Sequence, residues 1–196
     1  MFDKVIISTD SQEIENIATS NGAISLGLRP KNLAQDTSDM FDAHKYVFDQ
    51  LGADDSNINV ILVSNNPFVD SSLLTEISIK AKSVAYEIIV TTATKVSHPY
   101  YFQFEQKDEK CTPLFQKEFH LAALNRQERK PTVFPYFLAS AGKPSVMSSW
   151  QAYKNAMMNG FLPVYIDKSR THDIDTELDW DIALAVYEKL FMGKRY

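Results

Sequence analysis

The sequence predicts an α/β fold: a three-layer, mostly parallel sheet covered by helices, with a small protruding arm. Three observations carry this prediction. Residues 4–8, 57–63 and 162–166 are short apolar or β-branched runs bounded by polar turns, as buried strands are. Between such runs apolar residues recur at helical spacing, opened by Ser, Thr or Asp and closed by Gly or Asn-Gly. The links are short, of the length that crossover units between parallel strands use.

Taken in order, residues 4–8 form a first strand ending in Ser8-Thr9-Asp10-Ser11, a cluster suited to cap a helix. Ile14, Ile17 and Ala18 mark one face of that helix, which stops at Asn21-Gly22, and residues 23–26 read as the next strand. A polar loop through Asp36-Thr37-Ser38 caps a second helix that carries Phe41, His44, Val47, Phe48 and Leu51 on one side and ends at Gly52. On this apolar side His44 reads as a packed histidine. Residues 57–63 are the clearest strand and are expected at the centre of the sheet. Asn65-Asn66-Pro67 turns the chain, Ser71 or Ser72 caps a helix with Leu73, Leu74, Ile77 and Ala81 facing inward, and a strand follows at about 86–92.

The alternation then breaks. Tyr101-Phe102-Gln103-Phe104 suggests a strand, 105–110 a charged turn, and 119–129 has no regular period. Residues 98–138 are therefore read as an arm or lobe on one domain spanning 1–196. Its exposed aromatics suit either a subunit interface or packing on its own domain. Residues 133–138 return as a strand, Ser148 or Ser149 caps a helix with Trp150, Tyr153 and Met157, and 162–166 is the last strand.

Composition bounds the function. The 196 residues carry 44% hydrophobic residues, 12% aromatics and a formal charge of -5, with positive residues scattered, which argues against a duplex nucleic-acid partner but admits a small anionic ligand. The single cysteine, Cys111, allows no internal disulfide and no thiolate metal cluster. There is no apolar run of membrane-spanning length and no signal-peptide pattern, so a cytoplasmic protein without a membrane partner is expected.

The chemistry is concentrated in Thr171-His172-Asp173-Ile174-Asp175-Thr176-Glu177-Leu178-Asp179. In an extended segment Asp173 and Asp175 project to the same face, a divalent metal pair. Thr176 and Asp179 have the form of a capping box, and Leu178, Ile182, Val186 and Leu190 follow at helical spacing. The stretch thus reads as strand end, acid pair, helix start, where carboxylates would hold Mg²⁺ against phosphate oxygens. The competing reading is that one aspartate caps the helix and the other is merely solvated.

Five blocks, residues 2–10, Leu28-Arg29-Pro30 with 33–37, His98-Pro99, Asn125-Arg126-Gln127 and 173–179, stand in the order and at about the spacing of one family. Over nearly its whole length the chain resembles the acylneuraminate cytidylyltransferases, the CMP-sialic acid synthetase family. The resemblance implies a nucleotide-binding, Rossmann-like nucleotidyltransferase sheet and a homodimer formed through the 98–138 arm. It also implies Mg²⁺-dependent transfer of CMP from CTP to an acidic nonulosonic sugar with release of pyrophosphate. Asp173 and Asp175 would hold Mg²⁺ at the catalytic centre, Arg29 and Asp10 would line the nucleotide site, and Arg126, Gln127 and His98 the substrate site. Such chemistry relies on charge neutralisation and in-line positioning.

There are departures. The resemblance starts at the family's second strand, so the first strand and its phosphate-cradling loop have no counterpart in this sequence. Asn65-Asn66-Pro67-Phe68-Val69 keeps the proline of the family's Thr-Ser-Pro-Leu-Arg and lacks its arginine. Residues 137–141 replace its substrate-binding Asn-Gly-Ala-x-Tyr. A non-catalytic relative serving as an interaction or regulatory module is therefore the alternative to an enzyme.

Overall fold

The computed structural model describes residues 2–62, 65–84, 87–96, 100–125, 127–129 and 131–193. Strand β1 (Ile6–Ile7) leads through helix α1 (Gln12–Ser20) to β2 (Ile24–Ser25), and the two strands pair in parallel as a sheet of their own. Helix α2 (Met40–Leu51), β3 (Asn59–Leu62), α3 (Ser71–Lys82) and β4 (Val90–Lys95) follow. In the arm a hairpin pairs β5 (Phe104–Lys107) with β6 (Lys110–Pro113), and β7 (Val133–Gly142) returns from it. Helices α4 (Pro144–Met147) and α5 (Trp150–Met158), strand β8 (Leu162–Tyr165) and helix α6 (Glu177–Phe191) complete the order.

The main sheet has the order β3-β7-β4-β8. β4 and β8 are parallel, and β7 runs antiparallel to both β3 and β4, so three of the four strands share one direction. Side-chain alternation along the strands builds two cores on opposite faces. Val60, Val90, Leu138, Ala141 and Val164 pack with Leu73, Ile77 and Ala81 of α3; Ile61 and Ile89 pack with Phe41 and Phe48 of α2, Met147 of α4 and Tyr153 and Ala156 of α5. The result is the α/β layering expected from the sequence, helix on sheet on helix.

Local chemistry explains the element boundaries. Asp39, Asp70 and Ser149 accept from the Phe41, Leu73 and Ala152 amides at the starts of α2, α3 and α5. Gly52 ends α2 at φ 60°, the left-handed conformation that favours glycine. The caps of α2 and α3 are thus Asp39 and Asp70, where the end of the Asp36-Thr37-Ser38 loop and Ser71 or Ser72 were expected.

Three further expectations are corrected. β3 lies at an edge of the main sheet among the described residues, because ten-residue β7 inserts between it and β4 and takes its hydrogen bonds. Residues 100–102 are a short 3-10 turn and the arm's strand begins at Phe104. The apolar positions of α1 and α6 form helices as patterned but find little to cover them. Ile14 and Ile17 are about half exposed, Leu178 and Trp180 are 67% and 59% exposed, and Ala183 is the buried residue of α6.

Candidate functional site

The acid pair is assembled by a turn that follows β3. Asn65 and Asn66 stand just past Leu62, and residues 171–175 are laid against them without regular secondary structure. The Ile174 amide donates to the Asn65 carbonyl at 2.8 Å. The Asn65 side-chain amide donates to Asp175 Oδ1 at 3.2 Å. Asn66 Nδ2 faces the carbonyls of Arg170 and His172, each at 3.0 Å, and Asp173 Oδ1 at 3.4 Å. Two adjacent carboxamides therefore hold the two carboxylates, Asp173 half-buried and Asp175 exposed. The pair was expected at the end of its own preceding strand. Instead β8 ends at Tyr165, a 3-10 turn at Lys168–Arg170 intervenes, and the pair sits beyond the carboxyl end of β3. The position still matches the place where open α/β sheets collect ligands.

Neither aspartate is spent on capping α6. The Asp179 side chain accepts from the Thr176 amide at 2.8 Å, and Thr176 Oγ1 accepts from the Asp179 amide at 3.3 Å, a reciprocal capping box. The Thr176 hydroxyl above all, then the Asp175 and Thr176 amides and His172, hold the Asp179 carboxyl below its ordinary range. His172 is turned toward α6, its Nε2 3.2 Å from the Asp179 carbonyl.

Tyr136 of β7 closes the site from the sheet side. Partial burial, together with the nearby Asp173 and Asp175 carboxylates, pushes its phenol up to about 12. Below, Arg170 Nη2 meets Asp70 Oδ2 at 2.5 Å, tying the 168–170 turn to the start of α3. Burial alone would raise the Asp70 carboxyl; donors on Ser72, the Leu73 amide and Arg170 outweigh it and bring the group down to about 2.

The remaining candidates lie elsewhere. Arg29 and Asp10 form a loose pair, 3.8 Å apart, behind β1 and β2, where the Arg29 amide donates to the Thr9 carbonyl. Arg29 Nε is buried and has no hydrogen-bond partner among the described residues. Its charge is felt by His44, which burial holds below its ordinary range, against opposing contributions from a Met147 backbone hydrogen bond and Asp39. Among the described residues no hydrogen bond or ion pair joins Arg29 or Asp10 to Asp173 or Asp175. Gln127 is exposed on a turn of the arm, and His98 and Arg126 lie outside the described residues. That turn is anchored by Arg129, whose guanidinium donates to the Leu124 and Ala122 carbonyls and lies 5.1 Å from the Phe102 ring centre.

The donor set fits Mg²⁺. Two carboxylates are hard oxygen ligands, and Mg²⁺ is commonly held by one or two carboxylates with substrate phosphates and water completing its shell. No group of three or more His, Cys, Asp or Glu able to cage a metal occurs among the described residues.

Asn66, Tyr136 and the Asp70–Arg170 pair were missed in the sequence. Asn65-Asn66-Pro67 reads only as a turn, and its partners are more than a hundred residues away in the chain. No local spacing carries that information.

The comparisons with known proteins point the same way. Over 189 residues, 96% of this chain, it is 25% identical to an N-acylneuraminate cytidylyltransferase of Escherichia coli O18:K1:H7, but covers only 43% of that protein's length. Over 58 residues, 30% of the chain, it is 41% identical to a Helicobacter pylori protein described as a pseudaminic acid cytidylyltransferase and UDP-sugar hydrolase, 11% of whose length is matched. The chain thus spans less than half the length of these curated relatives. A solved CMP:2-keto-3-deoxy-manno-octonic acid synthetase, determined with CTP, superposes with a TM-score of 0.60 over 94% of this chain and 81% of that one, at 15% identity, which shows a shared fold. A family model described as cytidylyltransferase matches residues 1–194, and the chain belongs to that family.

Proposed function

We propose that this chain carries a Mg²⁺-dependent CTP site centred on Asp173 and Asp175 and transfers CMP to an acidic nonulosonic sugar with release of pyrophosphate. The observation that supports it most is the fixing of both carboxylates by Asn65 and Asn66 at the carboxyl end of β3, while Thr176 and Asp179 carry the helix cap. In this reaction a sugar hydroxyl attacks the α-phosphorus of CTP, the bond from that phosphorus to the bridging oxygen breaks, pyrophosphate leaves, and the hydroxyl proton passes to solvent. Mg²⁺, which Asp173 and Asp175 would hold, would supply positive charge against the phosphate oxygens. Asp173 and Asp175 hold the ion, and Arg29 and Asp10 face the nucleotide. Gln127, Arg126 and His98 are assigned to the sugar, and two copies associate through the arm. The exposed edge-to-face pair Phe104 and Phe119, 5.6 Å between ring centres, suits that interface.

The direct assay is pyrophosphate release from CTP with a panel of acidic sugars. Asp173→Asn should lower turnover by about 100-fold or more, equivalent to ~3 kcal/mol of transition-state stabilisation, without unfolding the chain. Retained turnover removes Asp173 from the mechanism.

The exposed apolar faces of α1 and α6 favour a second reading, a non-catalytic relative that works as an interaction or regulatory module. It predicts stable association with a partner and no pyrophosphate release with any sugar in the panel.

A further inference from the structure

We infer that Asn66 and Tyr136 are positioning residues that lock the Asp173 carboxylate in place and thereby set the site's affinity for a divalent cation. The inference rests on the reading of Asp173 as a metal ligand and adds what holds that ligand.

Asn66 is only 5% exposed, so its amide needs internal partners. The Phe68 amide donates to Asn66 Oδ1 at 2.9 Å, which decides which way the carboxamide faces. Its Nδ2 then reaches two main-chain carbonyls, of Arg170 and His172, and Asp173 Oδ1. One buried side chain thus shapes the irregular segment that carries the acid pair and touches the carboxylate itself.

Tyr136 arrives from the opposite side. Leu62 pairs with Ala139 in the antiparallel ladder, and Tyr136 lies three residues earlier on β7, beyond the last paired residue of β3. The residue after it, Phe137, has φ 55°, a left-handed backbone that costs a bulky side chain energy. Just there the β4–β7 register shifts, between Thr91 and Ala93. A bulge of this kind re-aims a neighbouring side chain, and here it leaves the tyrosine close enough to Asp173 and Asp175 for their charge to bear on its phenol. Local strain is thus retained beside a residue that lies next to the acid pair. Partners that orient a metal ligand in this way are typically worth about 10–100-fold in metal affinity.

The test uses Mn²⁺ as a spectroscopic probe, its binding followed by electron paramagnetic resonance in the presence of CTP, with melting curves run on every variant. Tyr136→Phe should weaken Mn²⁺ binding by about 10-fold with a melting temperature within about 2 °C of the parent. Asn66→Ala should weaken it more, and Asp173→Asn should abolish it. In turnover, the Mg²⁺ concentration for half-activation should rise in Tyr136→Phe while saturating Mg²⁺ restores most of kcat. Should Asn66→Ala not fold, Tyr136→Phe decides alone. If Asp173→Asn loses Mn²⁺ but Tyr136→Phe binds it like the parent, the positioning role is overturned and the metal site stands. If Asp173→Asn binds Mn²⁺ like the parent, or the parent binds none, the metal reading fails and the inference with it.

Discussion

Helices α3 and α6 share a design and meet different fates. Each starts at a well-formed cap, Asp70 or the Thr176–Asp179 box, and each carries apolar residues at helical spacing. α3 buries Leu73, Ile77, Ser78 and Ala81 against the sheet, whereas α6 buries Ala183 and leaves Leu178, Ile182, Leu184, Tyr187 and Leu190 at least 40% exposed. α1, with its own capped start and exposed isoleucines, sides with α6. The difference is the surface beneath: α3 lies on the main sheet, α1 lies on the separate two-stranded β1–β2 sheet, and Ala183 is the buried residue of α6. Caps and periodicity make a helix; a partner surface makes it contribute to the core.

The comparison can be broken most decisively at Ile77, which is 0% exposed. Ile77→Ala should cost about 2–5 kcal/mol in denaturant unfolding. Asp70→Asn, which weakens the cap of α3 and the pair with Arg170, should cost about 1–3 kcal/mol. Its sign with pH follows from a folded carboxyl at about 2 against an ordinary 3.8. The stability Asp70 contributes is fully present above pH 3.8 and is lost as pH falls through about 2, so Asp70→Asn should flatten the acid limb of the stability profile. Leu178→Ala, at a 67% exposed position, should change stability by no more than about 0.5 kcal/mol. A large loss there would mean that another surface covers α6 in solution. Hydrogen exchange sharpens the contrast, with amides of α6 and α1 expected to exchange well before those of α3 and β4.

These contrasts explain how much was legible in the sequence. The α/β class followed from alternating strand and helix patterns, because periodicity and caps are local properties. The capping box at Thr176 and Asp179 was readable for the same reason. The edge position of β3 was not, since a fully apolar run describes how well a strand is covered and says little about which strands flank it. Asp173 and Asp175 were visible as a pair, but the carboxamides that hold them, Asn65 and Asn66, are more than a hundred residues away in the chain. Asn66, past the end of β3, and Tyr136, within β7, come beside Asp173 only once β7 is placed next to β3.

The acid pair held by the Asn65–Asn66 turn is proposed to make a Mg²⁺-dependent nucleotide site. Its most direct test is calorimetric titration of CTP into the chain with and without Mg²⁺, repeated on Asp173→Asn. Heat of binding that requires Mg²⁺ and disappears in the variant is the predicted result. CTP binding that is unchanged by Mg²⁺ or by Asp173→Asn, or no binding under either condition, would contradict it.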